Sequence, residues 1–506
     1  MPIYGSVRLQ TMTASGASTG ILVHYLRYLG GNVLVIAAGF VSFPVMTRLL
    51  DIEQFGLLGY YEAWLLVVAG LLKLGTQHAI LRFYPHGEGE SALRRFRTDY
   101  LLVPLAASLL LWGICVALVL RFLAVLPSEE QPILWVLMIT VPLLIWCSFV
   151  EAVMYALERS DISIWLKASW RWSELVLVLI TIVFIERSAL GVFSARLAIL
   201  LVVALFLSIW FLRWCRGRIS MPTVPRVTAG LAFGLPMMFT ELTSVLFGFA
   251  DRILLRTLTG SFTDVGIYTI GYGLAMAVAA LMGQTLNEAF TPTAMRLYKL
   301  HGDSAVVALK RDMLNLWVLA VGVTGALLLC VGQDLLVVLA GQDKAASGPV
   351  FVAVAMTMVW YSLFSVAQYG LLLERKSMRY FLLALAATVV NLVLNVPLIM
   401  TFGVAGAVAA TVVSYAFLAI IQLWACPSGL RYVPPLTRLL PAAAFAPLML
   451  GFLNLVDYFG AQGAWARLLV GSATVIVPAL LVAGMDPGLR NGLQRIRSER
   501  SGRVAP

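Results

Sequence analysis

The sequence predicts an all-α membrane protein with fourteen transmembrane helices. Of the 506 residues, 61% are apolar and only 12% are charged, whereas a soluble domain carries roughly 25% charged residues. The mean hydropathy of +0.91 extends over the whole length, which excludes a soluble enzyme with a single membrane anchor. Apolar runs of the ~20 residues that cross a bilayer recur along the chain. Because lipid cannot satisfy free backbone groups, such runs must be helical.

The apolar runs predict two lobes of six helices each, followed by two further helices. The first lobe is predicted at residues 21–213 and the second at 229–425, with a cytoplasmic linker at 214–228, two more spans within 426–484, and terminal segments at 1–20 and 485–506. In the first span, Gly30, Gly31 and Pro44 predict a helix that can bend. The fourteen spans are placed at residues 21–47, 56–82, 98–122, 132–157, 162–185, 190–213, 229–256, 265–290, 312–339, 349–373, 378–400, 404–425, 437–456 and 464–484.

The basic residues indicate the orientation of these helices. With a cytoplasmic N-terminus, 24 Lys and Arg fall on the cytoplasmic side, 7 on the opposite side and 5 within spans. This bias agrees with the positive-inside rule and places both termini in the cytoplasm. The net charge of +11 is spread over short loops, so we expect no nucleic-acid binding.

The remaining motifs exclude several activities. The chain has no GxxxxGK[ST] phosphate-binding loop, and its five cysteines are scattered without a CxxC pair, so neither ATP hydrolysis nor a cysteine metal site is predicted. The sequence shows no catalytic set and no metal-ligand spacing, and we expect a transporter rather than an enzyme. The longest loop, residues 291–311, has apolar residues at helical spacing among basic ones, as interfacial helices do.

One hairpin motif occurs twice. Asp51 and Gln54 predict a helix N-cap just before Gly56, and the stretch from Arg256 to Tyr268 repeats the pattern about Gly266, 210 positions later. Copies displaced by an even number of helices have the same orientation in the membrane, so we predict parallel repeats about an axis normal to the bilayer.

Short motifs along nearly the whole chain resemble those of a known family. They are Thr47–Leu50, Phe55–Gly56, Arg82, Asp251–Arg252, Val265–Tyr268, Pro292 and Gly403–Ala407. In these motifs the chain is similar to the polysaccharide transporter branch of the multidrug/oligosaccharidyl-lipid/polysaccharide (MOP) exporter superfamily. The resemblance implies two helical bundles around a cavity, alternating access, and export of an undecaprenyl-pyrophosphate-linked oligosaccharide from the cytoplasmic to the outer leaflet of the bacterial inner membrane.

Charges within the spans predict where the substrate binds. Each costs about 2.5–3.5 kcal/mol at the centre of a membrane helix, so it usually faces a cavity or a partner. In span five, Lys167, Arg171 and Glu174 share one helical face. The first lobe has more bases than acids in its spans, which favours a pyrophosphate anion, although Glu174 could instead pair structurally with Arg171. The predicted cavity residues are Arg27, Lys73, Lys167, Arg171, Glu174, Glu241 and Arg252.

Coupling to a cation is a further expectation. Glu62, Asp251 and Glu288 are carboxylates within or beside spans, so they are candidates for coupling transport to Na+ or H+. Asp251 and Arg252 are interpreted as an interfacial pair near the outer end of span seven. No cofactor is expected, and the predicted partners are the lipid-linked oligosaccharide, membrane lipids, and contacts with a polysaccharide polymerase or glycosyltransferases, with the protein itself a monomer.

Three alternatives stay open at this stage. A lipid II flippase of the same superfamily would also have fourteen spans and a basic cavity. A cation-coupled multidrug exporter would favour an acidic cavity, against which the buried bases argue. A membrane glycan polymerase or ligase would handle a similar substrate, but such enzymes carry a large external loop, and the external loops here have about ten residues or fewer.

Overall fold

A computed structural model describes residues 37–123, 127–157, 160–215, 220–366, 368–433, 451, 454 and 463–473. The described residues form helices joined by short turns, without a β-strand. The all-α fold predicted from the sequence is therefore confirmed.

The described residues in the first half of the chain form eight α-helices. They are α1 (residues 37–49), α2 (Ile52–Leu72), α3 (Thr76–Phe83), α4 (Glu90–Phe96), α5 (Val103–Leu123), α6 (Gln131–Ala156), α7 (Ser160–Phe184) and α8 (Ala189–Trp214). A π-helical segment, Arg97–Leu102, joins α4 to α5.

The second half continues in the same way. Its helices are α9 (Val224–Thr259), α10 (Phe262–Ala279), α11 (Thr285–Ala340), α12 (Gly348–Ser365), α13 (Gln368–Leu373), α14 (Ser377–Phe402), α15 (Val404–Ala425) and α16 (residues 464–473). Shorter segments lie at Ala280–Gln284, Gln342–Ser347 and Ser428–Leu430.

Ten helical stretches in the described part of the chain are long and apolar enough to cross a membrane. They correspond to predicted spans 2–4 and 6–12. Predicted span five is helical as α7 but is not among these ten, because Lys167, Arg171 and Glu174 lie within eight residues of one another. Predicted spans 1, 13 and 14 lie wholly or partly outside the described residues.

The contacts within the chain divide it into two compact units. Unit 1 contains residues 1–42, 72–186 and 190–237, and unit 2 contains residues 43–71, 187–189 and 238–506. The lobe boundaries drawn from the sequence stay a prediction.

The two hairpin motifs form equivalent helix caps. Asp51 Oδ1 accepts a hydrogen bond from Gln54 N at 2.8 Å, and Ser261 Oγ accepts one from Asp264 N at 3.1 Å. The two caps are 210 positions apart in the sequence, as the repeat predicts. The side chain of Gln54 does not complete a capping box with Asp51. Its Oε1 accepts from Ala189 N at 2.7 Å instead and so caps the start of α8.

The capped helices pack against each other through their glycines, within unit 2. A Cβ on Gly56 would overlap the carbonyl oxygen of Phe262, and a Cβ on Gly266 would overlap that of Ile52. Ile52 and Phe262 are themselves 210 positions apart, so each copy gives the other the same contact. This reciprocity supports the repeat, although the predicted superposition of complete lobes stays a prediction.

The longest predicted loop, residues 291–311, whose spacing of apolar residues is that of an interfacial helix, is helical as part of α11. The backbone of α11 leaves the helical conformation at Gly302, where φ is 71° and ψ is −160°. A glycine adopts this conformation without steric cost. The helical spacing of apolar residues in the segment was real, but it belongs to a long interrupted helix.

Candidate functional site

A cluster of charged side chains lies on one face of α7 in unit 1. Lys167 Nζ is 3.4 Å from Glu151 Oε2 of α6, and it also lies 5.3 Å from the ring centroid of Tyr155. Because positions 151 and 155 are one helical turn apart, α6 presents an acid and an aromatic ring to the same ammonium. The predicted charged face of α7 therefore contacts Glu151 and Tyr155 of α6.

The second half of this basic cluster is centred on Glu174. Arg171 NH1 lies 3.4 Å from Glu174 Oε2, and Arg196 Nε of α8 lies 3.0 Å from Glu174 Oε1. One carboxylate thus holds two guanidinium groups. We call Lys167, Arg171, Arg196, Glu151 and Glu174 the basic cluster.

The basic cluster keeps an excess of accessible positive charge. It contains three bases and two acids, and the side chains of Arg171 and Lys167 are 59% and 43% exposed, whereas those of Glu174 and Glu151 are 14% and 15% exposed. The side chains of the two acids are therefore mostly buried, whereas those of Lys167 and Arg171 are largely exposed. Arg171 is thus paired with Glu174 while 59% of its side chain stays exposed, and its role in binding an anion stays a prediction.

The sequence-based prediction did not include Arg196. Arg196 is a single arginine early in an apolar helix, and it was counted with the external side of the membrane. The sequence therefore indicated only weakly that this residue belongs to a polar site. The partner Glu174 lies 22 positions away on the preceding helix, and only the packing of α7 on α8 brings the two together.

A second polar cluster surrounds Asp251 of α9 in unit 2. Asp251 is fully buried. Its carboxylate accepts hydrogen bonds from Asn395 Nδ2 of α14 at 2.7 Å, from Thr411 Oγ1 of α15 at 3.1 Å, and from the hydroxyl of Tyr268 of α10. We call these four residues, together with Asn391, the Asp251 cluster.

One atom of the Asp251 cluster lacks a hydrogen-bond partner. Asn395 Nδ2 donates to Asn391 O at 2.9 Å as well as to Asp251, but Asn395 Oδ1 is buried and accepts no hydrogen bond. A buried acceptor without a donor costs about 1–3 kcal/mol. Such an atom beside a carboxylate and hydroxyls is the arrangement that a small hard cation stabilises.

The structure buries both Asp251 and Arg252 within the protein, while their place near the outer end of span seven stays a prediction. Arg252 is 3% exposed, and its NH1 donates to Gly248 O at 2.8 Å. Its guanidinium lies 4.7 Å from the ring centroid of Phe249 and 4.9 Å from that of Tyr272. These aromatic faces stabilise the cation inside the protein, so Arg252 does not present its charge to a cavity in this conformation.

The other described residues that were predicted for the site lie on α2, on α9 and in the turn after α2. Lys73 is half-buried in the turn between α2 and α3, Glu62 is half-buried on α2, and Glu241 is half-buried on α9. Arg27 lies outside the described residues, and so does the side chain of Glu288.

The donor types limit which ion the protein could hold. Among the residues that the structure describes, no group of three or more His, Cys, Asp and Glu side chains could ligate a metal ion. The Asp251 cluster offers carboxylate, amide and hydroxyl oxygens instead. Oxygen ligands suit hard cations and not the softer transition metals.

The comparison with known proteins decides the family. Residues 24–297 match the model of a family described as polysaccharide biosynthesis protein. The chain belongs to this family. It is also 26% identical over 275 residues to the Lsg locus putative protein 1 of Haemophilus influenzae, a match that covers 52% of this chain and 63% of that relative.

Two solved structures share the fold. The lipid II flippase MurJ, in an inward closed conformation, matches with a TM-score of 0.68 and 13% identity over 90% of this chain and 98% of its own. An outward-facing MATE multidrug transporter of the MOP superfamily matches with a TM-score of 0.50 and 16% identity over 77% of this chain and 94% of its own. The family match confirms the polysaccharide transporter branch recognised from the sequence, and the two structures confirm the multi-pass membrane fold.

Proposed function

We propose that this polysaccharide biosynthesis protein is a flippase for a lipid-linked oligosaccharide. The substrate would be a repeat unit of O-antigen, exopolysaccharide or capsule, joined through pyrophosphate to an undecaprenyl carrier. The protein would move it from the cytoplasmic to the outer leaflet of the bacterial inner membrane, as a monomer with both termini in the cytoplasm. Glycosyltransferases would supply this substrate, and a polymerase would receive it.

The basic cluster is the observation that carries this proposal. Three bases against two shielded acids leave Arg171 and Lys167 accessible to an anion. A guanidinium offers a planar pair of N–H donors that matches a phosphate oxygen pair, and charge-assisted bonds of this kind are about twice as strong as neutral ones. Glu174 also holds Arg171 and Arg196 in place before the substrate arrives.

The proposed cycle uses this site through alternating access. The pyrophosphate binds at the basic cluster while the lipid chain stays in the bilayer, and the protein then opens toward the other leaflet. The two bound states must have similar free energies, because a large difference would trap the substrate in one of them.

The lipid II flippase is the second candidate, because the fold of MurJ matches 90% of this chain. It would use the same positive site, since both substrates carry pyrophosphate. A multidrug exporter for organic cations is disfavoured because Arg171 and Lys167 would repel its substrate.

The test of the proposed function measures polysaccharide export and membrane abundance in a strain that lacks its own copy of the gene. Arg171→Ala should lower export about tenfold or more at unchanged abundance, because a charge-assisted bond contributes about 1.5–3 kcal/mol. Arg171→Lys should keep part of the export, and Arg196→Ala should weaken it by releasing Glu174. The matched control is Arg121→Ala, at an exposed base in the last turn of α5.

Two results would overturn the anion site. One is full export by a well-expressed Arg171→Ala variant. The other is restored abundance and export in Arg171→Ala/Glu174→Ala, which would mean that the pair serves folding only. Rescue of growth in a strain depleted of its lipid II flippase, without polysaccharide export, would support the second candidate instead.

We infer that the Asp251 cluster couples transport to Na+ or H+. The donor set fits either ion, because Asp251 can bind a proton or a sodium ion, and Asn395 Oδ1 offers a sodium ion the oxygen that lacks a partner. Among the three carboxylates proposed from the sequence, Asp251 has the contacts that support this role. A cation bound in one conformation more tightly than in the other would bias the cycle toward that conformation.

A further inference from the structure

A cavity lies at the carboxyl end of α6, within unit 1. Its volume is about 330 Å³, and its walls are the turn of residues 84–88 between α3 and α4, Leu93 of α4, and Ala156 and Leu157 at the end of α6. This volume is at the lower end of the range for ligand sites. We call it the α6 cavity. None of its wall residues belongs to the basic cluster or to the Asp251 cluster, so the proposed transport cycle does not use it.

The end of α6 favours a cation in this cavity. The helix is 26 residues long and has no basic residue in its last turn. The carbonyl groups of a last turn lack partners within the helix and carry together about half an elementary negative charge. In α6 no side chain of the last turn offsets this charge. A cation beside Ala156 and Leu157 is therefore stabilised, and an anion is repelled.

The carboxylate of Glu88 adds a full negative charge to the α6 cavity. Glu88 lines the cavity and is exposed, and within the described part of the chain its carboxylate forms no hydrogen bond and no ion pair. The neighbouring acid Glu90 is already paired, because its Oε1 lies 3.1 Å from Arg97 NH1. Glu88 is thus an acid at a cavity without a cation.

Two aromatic rings complete the lining. The ring centroids of Tyr84 and His86 are 4.9 Å apart at an angle of 64°, and Tyr84 also packs edge to face on Phe96, with centroids 5.2 Å apart. The indole N–H of Trp214 donates to the hydroxyl of Tyr84. These contacts hold the Tyr84 ring in place, and the face of an aromatic ring attracts a cation.

The surface beside the α6 cavity has the opposite charge. Arg94 and Arg95 lie in the last turn of α4, and Arg94 is half-buried whereas Arg95 is exposed. Arg97 adds little to this surface, because it is 4% exposed and its guanidinium donates to Glu90 and to Trp214 O. A ligand that matches both features has a cation at its centre and acidic groups around it.

We propose that the α6 cavity binds an arginine side chain of a cytoplasmic protein, in which acidic residues flank this arginine. The guanidinium lies against the Tyr84 ring and donates a pair of N–H groups to the carboxylate of Glu88. Its apolar stem packs on Leu93 and Leu157. An anchor side chain in a pocket with a polar rim is a common form of protein–protein contact. The predicted topology places this cavity on the cytoplasmic side, and the proposal is independent of the substrate that the protein carries.

The first experiment measures the binding of two short peptides to the full-length protein in lipid nanodiscs, by saturation-transfer NMR. The probe is acetyl-Asp-Gly-Arg-Gly-Asp-amide. The control peptide has citrulline in place of the arginine, which keeps the shape of the side chain and removes its charge. The arginine peptide should bind about tenfold more tightly or better, because hydrogen bonds between charged groups are stronger than those with a neutral donor. Empty nanodiscs give the background.

Substitutions in the cavity distinguish this site from general attraction to the protein surface. Glu88→Gln and Tyr84→Leu should each weaken binding of the arginine peptide about tenfold, whereas Tyr84→Phe keeps the ring and should keep most of the affinity. The matched control is Glu129→Gln, at an exposed acid between α5 and α6 of the same unit. Because Glu88 is exposed, Glu88→Gln tests the site even if Tyr84→Leu does not fold. Equal binding of the two peptides, or unaltered binding by Glu88→Gln, would overturn the proposal.

The second experiment maps the contact in living cells. A benzophenone amino acid replaces Ser91, which is exposed at the start of α4 and does not line the cavity. After illumination, mass spectrometry identifies the crosslinked segment of the partner. The proposal expects an arginine with Asp or Glu beside it in this segment, and the crosslink should be lost when that arginine is replaced by alanine or when Glu88 is replaced by glutamine. A crosslink to a segment without arginine, or to no protein at all, would contradict the proposal.

Discussion

At the scale of single residues, the sequence indicated which charges share a helical face but not what they contact. Lys167, Arg171 and Glu174 were predicted to share a face of one helix, and they do. Asp251 and Arg252 were interpreted as a pair near the outer end of span seven, and the structure adds that both are buried in the protein. Two of the three partners of Asp251 lie 144 and 160 positions away on α14 and α15. No local pattern specifies such distant contacts.

A residue-scale prediction concerns the cation at the Asp251 cluster. Na+ should raise the melting temperature of the purified protein relative to choline at equal ionic strength. A ligand that binds only the folded state stabilises it by about 2.7 kcal/mol at 100 times its Kd. Asp251→Asn and Thr411→Val should abolish this shift, while Asp312→Asn, at a carboxylate whose side chain is 74% exposed, should keep it.

Proton coupling predicts a different pattern in the same experiment. Na+ would then have no effect, and transport would raise the pH of the compartment from which protons move, except in Asp251→Asn. An Asp251 variant that keeps whichever response the unaltered protein shows, the sodium response or the proton movement, would exclude this residue as the coupling site.

At the scale of elements, the helix caps were predictable and their tertiary use was not. The side chains of Asp51 and Ser261 cap α2 and α10 through bonds to residues three positions on, which is a local signal. Gln54 was expected to complete a capping box and instead binds Ala189 N. A backbone donor at the start of another helix competes for the same amide oxygen, and sequence spacing cannot reveal it.

An element-scale prediction follows from the packing of α2 on α10. Gly56→Ala or Gly266→Ala should abolish correct folding, because each added methyl would overlap a backbone carbonyl oxygen that cannot move without shifting a helix. Gly70→Ala in the same α2 is the control. A Cβ there meets nothing within 4 Å, and alanine stabilises a helix by about 0.5–1 kcal/mol over glycine.

Membrane abundance and gel-filtration profile of the three glycine variants would measure this effect. Monodisperse Gly56→Ala protein with the same thermal stability as Gly70→Ala would contradict the packing described for α2 and α10.

At the scale of the whole molecule, composition alone specified the class of fold. A chain in which 61% of the residues are apolar is expected to fold in a lipid bilayer, and the hydrocarbon region permits only helices or closed barrels. The spans were predicted from length and hydropathy. Among the spans that lie within the described residues, α7 alone fails this criterion, and Lys167, Arg171 and Glu174 of the basic cluster lie on it. The sequence shows the prolines and glycines at which a helix can be interrupted. Which of these positions do interrupt a helix depends on packing.

A whole-molecule prediction concerns topology. In a variant without native cysteines, Ser91→Cys should react with a membrane-impermeant maleimide only after the cells are permeabilised. Ser128→Cys and Thr263→Cys should react in intact spheroplasts. All three positions are exposed, so the difference reports the side of the membrane. Labelling of Ser91→Cys in intact cells would reverse the orientation inferred from the loop charges.

The reciprocal contact of α2 and α10 has the form of an isologous dimer interface contained in one polypeptide. In a true homodimer a residue on the symmetry axis meets its own copy, so the same side chain must fit itself. Position 59 meets position 269, its equivalent in the second copy, and there a Cβ on Gly59 would lie 2.8 Å from Thr269 Cγ2. Two threonines would collide at this point. A single polypeptide that contains both copies is free of this constraint, because the two sides of the axis can differ, and here position 59 is glycine while position 269 is threonine.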